Sequence, residues 1–148
     1  MKKKIVIGAD HAGFEDKKLI MRQLEELGYE IEDVGTNSTE SVDYPIFARK
    51  VAEKVANGEA EQGILVCGSG NGMQIAANKV RGIRAALAWN EETARLAREH
   101  NDANVLSVPA RMISTQEVSK VIKAWLDAGF EGGRHAGRVE KITEMENR

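Results

Sequence analysis

Only one cysteine, Cys67, stands in the 148 residues, so an internal disulfide framework is excluded and a domain of this size must fold on its apolar core. No apolar run approaches the roughly 20 residues of a membrane span. The basic start Lys2-Lys3-Lys4 leads into a strand-like run too short for a secretory signal, so a cytosolic protein is expected. No basic block is longer than those three residues, and 21 Lys and Arg against 23 Asp and Glu leave a formal net charge of -2, which argues against nucleic acid as a partner. The three histidines, His11, His100 and His135, lie far apart along the chain without metal-ligand spacing, so neither a metal nor a cofactor is expected. Repeats, low-complexity segments and linkers are missing too, which makes residues 1–148 one domain.

What is present is alternation. Lys4 to Ala9 is a short β-branched run that ends in the polar turn Asp10-His11-Ala12-Gly13, the pattern of a buried strand feeding a helix. Leu19, Ile20, Leu24 and Leu27 then recur at helical spacing, and Gly28 follows as a helix stop. Further strands are expected at Tyr29 to Val34, Gly63 to Cys67, Ile83 to Ala88 and Asn104 to Val108. Helices are expected at Ile46 to Ala56, Asn71 to Val80, Glu91 to His100 and Ser114 to Leu126. Five strands alternating with helices over short connections predict an α/β fold with a doubly wound parallel sheet. Val139, Ile142 and Met145 have a helical step and predict a C-terminal helix that packs on another subunit.

Ligands of such sheets bind beyond the carboxyl ends of the strands. There the segment Cys67-Gly68-Ser69-Gly70-Asn71-Gly72 sets three alternate glycines between a strand and a helix, so that backbone N–H groups can face an anion without obstruction by a Cβ. Met73 stands where a dinucleotide fingerprint needs its third glycine, and the Lys-Ser/Thr of a P-loop is missing. A glycine-rich connection without a ligand fits the loop alone as well. Cys67, beside those N–H groups and a helix start, is expected to favour the thiolate and to serve as base or nucleophile; an inert buried cysteine is the alternative. His100, just before the last strand, is suited to proton transfer to oxygen or to a helix-terminal surface role. Asp10 and His11 suit sugar hydroxyls, or Asp10 a helix cap. Arg111, Arg134 and Arg138 suit a phosphate clamp, the last two on one helical face, or each a solvated surface position.

Read in order, Gly8-Ala9-Asp10-His11-Ala12-Gly13, Asp43-Tyr44-Pro45, Cys67 to Gly72, Ile75-Ala76-Ala77-Asn78-Lys79, Arg98-Glu99-His100-Asn101-Asp102 and Gly132-Gly133-Arg134-His135 resemble the ribose-5-phosphate isomerase B and galactose-6-phosphate isomerase family, over nearly the whole chain. That resemblance implies a Rossmann-like three-layer α/β/α sandwich, a sugar phosphate as small-molecule ligand, and a homodimer or tetramer with active sites shared between subunits. It implies that Cys67 shuttles a proton between C1 and C2 while N–H groups of Gly68, Gly70, Asn71 and Gly72 stabilise the enediolate. His100, helped by the Ser69 hydroxyl, would open the furanose ring. Asp10, His11 and Asn101 would contact sugar hydroxyls, with Tyr44 lining the pocket, and Arg111, Arg134 and Arg138 would hold phosphate. A branch of the family has a glutamate base after Gly-Asn-Gly, where this chain has Met73; Ser69 stands where many members have threonine. D-ribose 5-phosphate is the expected substrate, with a six-carbon 6-phosphate of allose or galactose type as the alternative. Two non-enzymes compete. A receiver domain needs an Asp at the end of strand three, where Cys67 stands, and a non-catalytic sugar-phosphate-binding subunit would not need both Cys67 and His100.

Overall fold

The computed structural model describes residues 3–147. Five strands, β1 (Lys4–Ala9), β2 (Glu30–Asp33), β3 (Gln62–Cys67), β4 (Ala85–Leu87) and β5 (Val105–Pro109), form one parallel sheet in the order β2-β1-β3-β5-β4. Between and after them run α1 (Phe14–Glu26), α2 (Tyr44–Ala56), α3 (Asn71–Ala77), α4 (Glu91–Glu99), α5 (Thr115–Asp127) and α6 (Arg134–Glu144). Side chains alternate across a strand, and both faces of this sheet are covered. Ile5, Ile7, Ile64, Val66, Leu106 and Val108 pack against α1, α4 and α5 around Trp125. Val6, Leu65, Cys67 and Val105 face the other way, onto Ala48, Val51 and Ala52 of α2 and Met73 and Ala77 of α3. The two crossings that run in one direction along the sheet, through α1 and α4, use one face, and the two that run back, through α2 and α3, use the other. A single crossover hand requires this segregation. The order reverses between β1 and β3, so the crevice of a doubly wound sheet opens where Asp10 follows β1 and Cys67 ends β3.

Three expectations shift. α3 stops at Ala77 rather than Val80 because the Asn78 side chain leaves the helix to pair with β4: its amide donates to the Ala85 carbonyl at 3.0 Å and its oxygen accepts from the Ala85 N–H at 2.7 Å. β4 shrinks to three residues at the sheet edge, with Asn104 Oδ1 accepting from the Arg84 N–H before the ladder begins. In α1, Ile20 and Leu24 are buried while Leu19 and Leu27 are exposed, and the inward face also carries Lys17. That lysine, 1% exposed, pairs with Asp33 at 2.8 Å and donates to the Thr36 carbonyl at 2.6 Å, tying α1 to the segment after β2. The same segment is fastened to the end of β1, where Ala9 N–H donates to Gly35 O at 2.7 Å. Among the described residues no helix is long and apolar enough to cross a membrane.

Candidate active site

A cavity of about 340 Å³ opens at the carboxyl edge, lined by Asp10, His11, Tyr44, Cys67, Ser69 and Arg111 together with Gly68 and Gly72. Backbone geometry builds most of it. Gly70 has φ +83°, and a Cβ there would stand 2.3 Å from Leu87 Cδ1, so glycine is required for both conformation and space. The Gly70 carbonyl is held from below by the buried Ser107 hydroxyl, which donates to it at 2.8 Å. At Gly72 a Cβ would meet the Tyr44 ring at 2.6 Å, so its absence lets the aromatic ring close one wall.

Cys67, 4% exposed, lies at the floor. Its thiol is pushed up from the usual range, first by burial and then by the Asp10 carboxylate; the nearby Met73 and Gly70 N–H dipoles pull the other way without prevailing. The expectation of a favoured thiolate is therefore corrected. Desolvation of a charged sulfur outweighs two amide dipoles. Asn71 N–H donates to Ser69 Oγ at 3.3 Å, whereas Gly70 N–H makes no hydrogen bond among the described residues. The N–H groups of Gly68, Ser69 and Gly72 likewise carry no hydrogen bond among the described residues.

Asp10 acts as a cap, its Oδ1 accepting from Gly13 N–H at 2.9 Å, and this holds the carboxylate beside Cys67. His11 Nδ1 accepts from Val42 N–H at 3.4 Å, which places the proton of the neutral ring on Nε2. Arg111 is anchored by its own N–H to Gly68 O at 3.0 Å, and its side chain passes over that glycine.

His100, Asn101, Arg134 and Arg138 are not in this cavity. α4 runs antiparallel to the strands, so its end at His100 lies by the amino edge of the sheet. Cys67 pairs with Pro109, the last residue of β5, whereas His100 precedes Val105, the first. A five-residue strand spans about 16 Å, so within one protomer the two groups lie at opposite ends of the sheet. The loop after His100 is braced by Arg84, which the sequence pattern did not single out and which donates to the carbonyls of Asn101 at 3.0 Å and Asp102 at 2.8 Å, and by Arg98 of the motif, which donates to Asp102 and to Ala103 O.

Although distant in sequence, His100 and His135 stack with ring centroids 4.1 Å apart and planes 11° from parallel. Glu131 Oε1 lies 3.6 Å from His100 Nε2 and 3.7 Å from His135 Nε2. The His135 imidazole is pushed down, first by burial and then by the neighbouring His100 and Arg134. Arg134 and Arg138 are exposed on the first turns of α6.

A doubly wound sheet whose switch point gathers a buried thiol, a glycine loop with free amides and an arginine around one small cavity defines an α/β protein suited to a compact anionic ligand. Comparison with known proteins makes that class specific. The family described as Ribose/Galactose Isomerase matches residues 5–142, and the chain belongs to it. It is 49% identical over 146 residues to ribose-5-phosphate isomerase B of Escherichia coli, covering 99% of this chain and 98% of that one. Its fold superimposes on a Clostridium thermocellum ribose-5-phosphate isomerase B with TM-score 0.96 at 51% identity, over 97% of each chain. A Mycoplasma genitalium ribose-5-phosphate isomerase B, solved with bound ribulose 5-phosphate, gives TM-score 0.96 at 43% identity, covering 100% of this chain and 99% of that one.

Proposed function

We propose that the chain interconverts D-ribose 5-phosphate and D-ribulose 5-phosphate through an enediolate, with Cys67 as the carbon base. The observation that carries this reading is the sulfur on the floor of a cavity whose rim offers the free amides of Gly68, Ser69 and Gly72, the His11 Nε2–H and Arg111. The Cys67 thiolate removes the proton from C2 of the open aldose as the C1=O electrons move onto oxygen. The thiol then returns that proton to C1, and a proton moves from O2 to O1. A thiol raised by burial and by Asp10 is a stronger base once ionised, and it is closer in affinity to the weakly acidic carbon. The free N–H groups of Gly68, Ser69 and Gly72 stabilise the developing oxyanion, and Ser69 Oγ, Asp10 and His11 hold hydroxyls.

Ring opening and phosphate binding use the second group of residues. One protomer keeps these at the far end of its sheet, so the working site is shared: His100, Asn101, Arg134 and Arg138 of one subunit complete the Cys67 and Arg111 cavity of another. α6 supports this arrangement, because Ile142 and Met145 stand exposed beside a 710 Å³ groove that Asn101 also lines, an apolar face for a second copy. The protein works in the cytosol as a homo-oligomer, a dimer at least.

Substrate choice is tested by kcat/KM of the purified protein on ribose 5-phosphate against allose and galactose 6-phosphates. The pentose is expected to be preferred. Preference for a six-carbon phosphate would overturn the substrate and leave the chemistry standing.

A further inference from the structure

Away from the Cys67 cavity, His100, Glu131 and His135 bring their three ligand atoms within 4.8 Å of one another, a juxtaposition hidden by their separation in sequence. Each is held by its backbone: His100 N–H donates to Leu96 O at 2.9 Å, Glu131 N–H to Glu99 O at 3.0 Å and His135 N–H to Gly132 O at 3.0 Å. Metal–ligand bonds of about 2.0 Å in a tetrahedral site put ligand atoms about 3.3 Å apart. The two carboxylate–imidazole separations, 3.6 and 3.7 Å, are close to that spacing already. Only the two rings, near parallel in the stack, must fan apart. The freedom to do so lies in His100, whose side chain is 38% exposed, while His135 is fixed at 10%.

We infer that His100, Glu131 and His135 form an exchangeable inhibitory site for a borderline divalent transition cation of the zinc type, bound by two imidazoles, one carboxylate and water. Two nitrogens with one oxygen select zinc-like ions over magnesium or calcium, which take oxygen ligands. Arg134 and Arg138 flank the cluster and oppose a cation, with Glu131 as the compensating charge. The ion is therefore a weakly held, reversible visitor. Occupancy takes the lone pair of His100 and so stops ring opening, a consequence that rests on the role proposed for that histidine; the binding itself does not.

Calorimetric titration of the full-length Cys67→Ala protein with Zn2+ alone, together with visible absorption of its Co2+ form, reads the site without the competing thiol. One ion per chain is expected, with the strong d–d bands of four-coordinate cobalt, and Glu131→Gln or His135→Asn in that background should each weaken binding at least about 10-fold. Glu131 is exposed, so its variant keeps the fold. No binding, or binding indifferent to both substitutions, overturns the site. In the Cys67-containing enzyme, Zn2+ should inhibit ribose 5-phosphate turnover, a chelator should restore it, and Glu131→Gln should raise the Zn2+ needed about 10-fold. Binding at the three residues without inhibition overturns the inhibitory role and counts against His100 in catalysis, while the ion site stands.

Discussion

At the carboxyl edge of the sheet Cys67 sits among groups that the backbone fixes: Gly70 in a conformation open only to glycine, its carbonyl tied to Ser107, and Asp10 locked as a cap. At the amino edge His100 is half-exposed and leans on side chains, the His135 ring and the Glu131 carboxylate. The first region sets a buried sulfur beside backbone amides that carry no other hydrogen bond, and suits charge development at carbon with little rearrangement. The second is open and adjustable, and it suits handling a ring oxygen on a ligand that must come and go. One fold thus supplies a rigid half-site and a pliable one. On the proposed shared site, contact between subunits is what would let them meet.

The sharpest break of this comparison is Cys67→Ala. Isomerisation should fall at least about 10³-fold, as expected for removal of an acid–base group. Exchange of the C2 proton of ribose 5-phosphate with solvent should vanish, while melting shows a loss of only about 1 kcal/mol. Persistent exchange would take the carbon base away from this residue.

His100→Asn should divide substrates by ring form. Turnover of ribose 5-phosphate should drop about 10²-fold. An aldotetrose 4-phosphate, whose esterified C4 oxygen cannot close a furanose, should lose far less. Equal losses would assign His100 to a step other than ring opening.

Gly70→Ala probes the rigidity of the first region. The left-handed φ and the clash with Leu87 should destabilise the fold by about 2 kcal/mol and, by moving the amide that faces sulfur, reduce kcat more than they raise KM. Denaturant unfolding and steady-state kinetics check this together.

The smallest effect is electrostatic. Asp10 raises the Cys67 thiol, so Asp10→Asn removes a negative charge that opposes the thiolate, and the pH at which Cys67 alkylation accelerates should move down. The shift is partial because burial, the larger cause, remains. An upward move would contradict the sign.

Much of the rigid half was legible in sequence. β1, β3 and β5 are short runs buried on both faces, and the glycine spacing after Cys67 reports backbone demands that survive in one dimension. The state of Cys67 was misread because a helix start and nearby amides are visible in sequence whereas desolvation is not. Lys17 passed unnoticed because a helical lysine usually faces water; only the partners Asp33 and Thr36 make its burial tolerable. The pliable half was legible residue by residue but not as a cluster. Nothing in the spacing of His100 and His135 announces that α6 starts beside the end of α4.

The central claim, that the two halves meet between subunits, is tested most directly by mixing the strongly impaired Cys67→Ala and His100→Asn proteins after dissociation and reassociation. In a random mixture half of the dimers carry both variants, and each of these has one intact site, so about a quarter of wild-type ribose 5-phosphate activity should return. A mixture that stays as inactive as its two components would contradict the shared site and place both residues in the same protomer's chemistry.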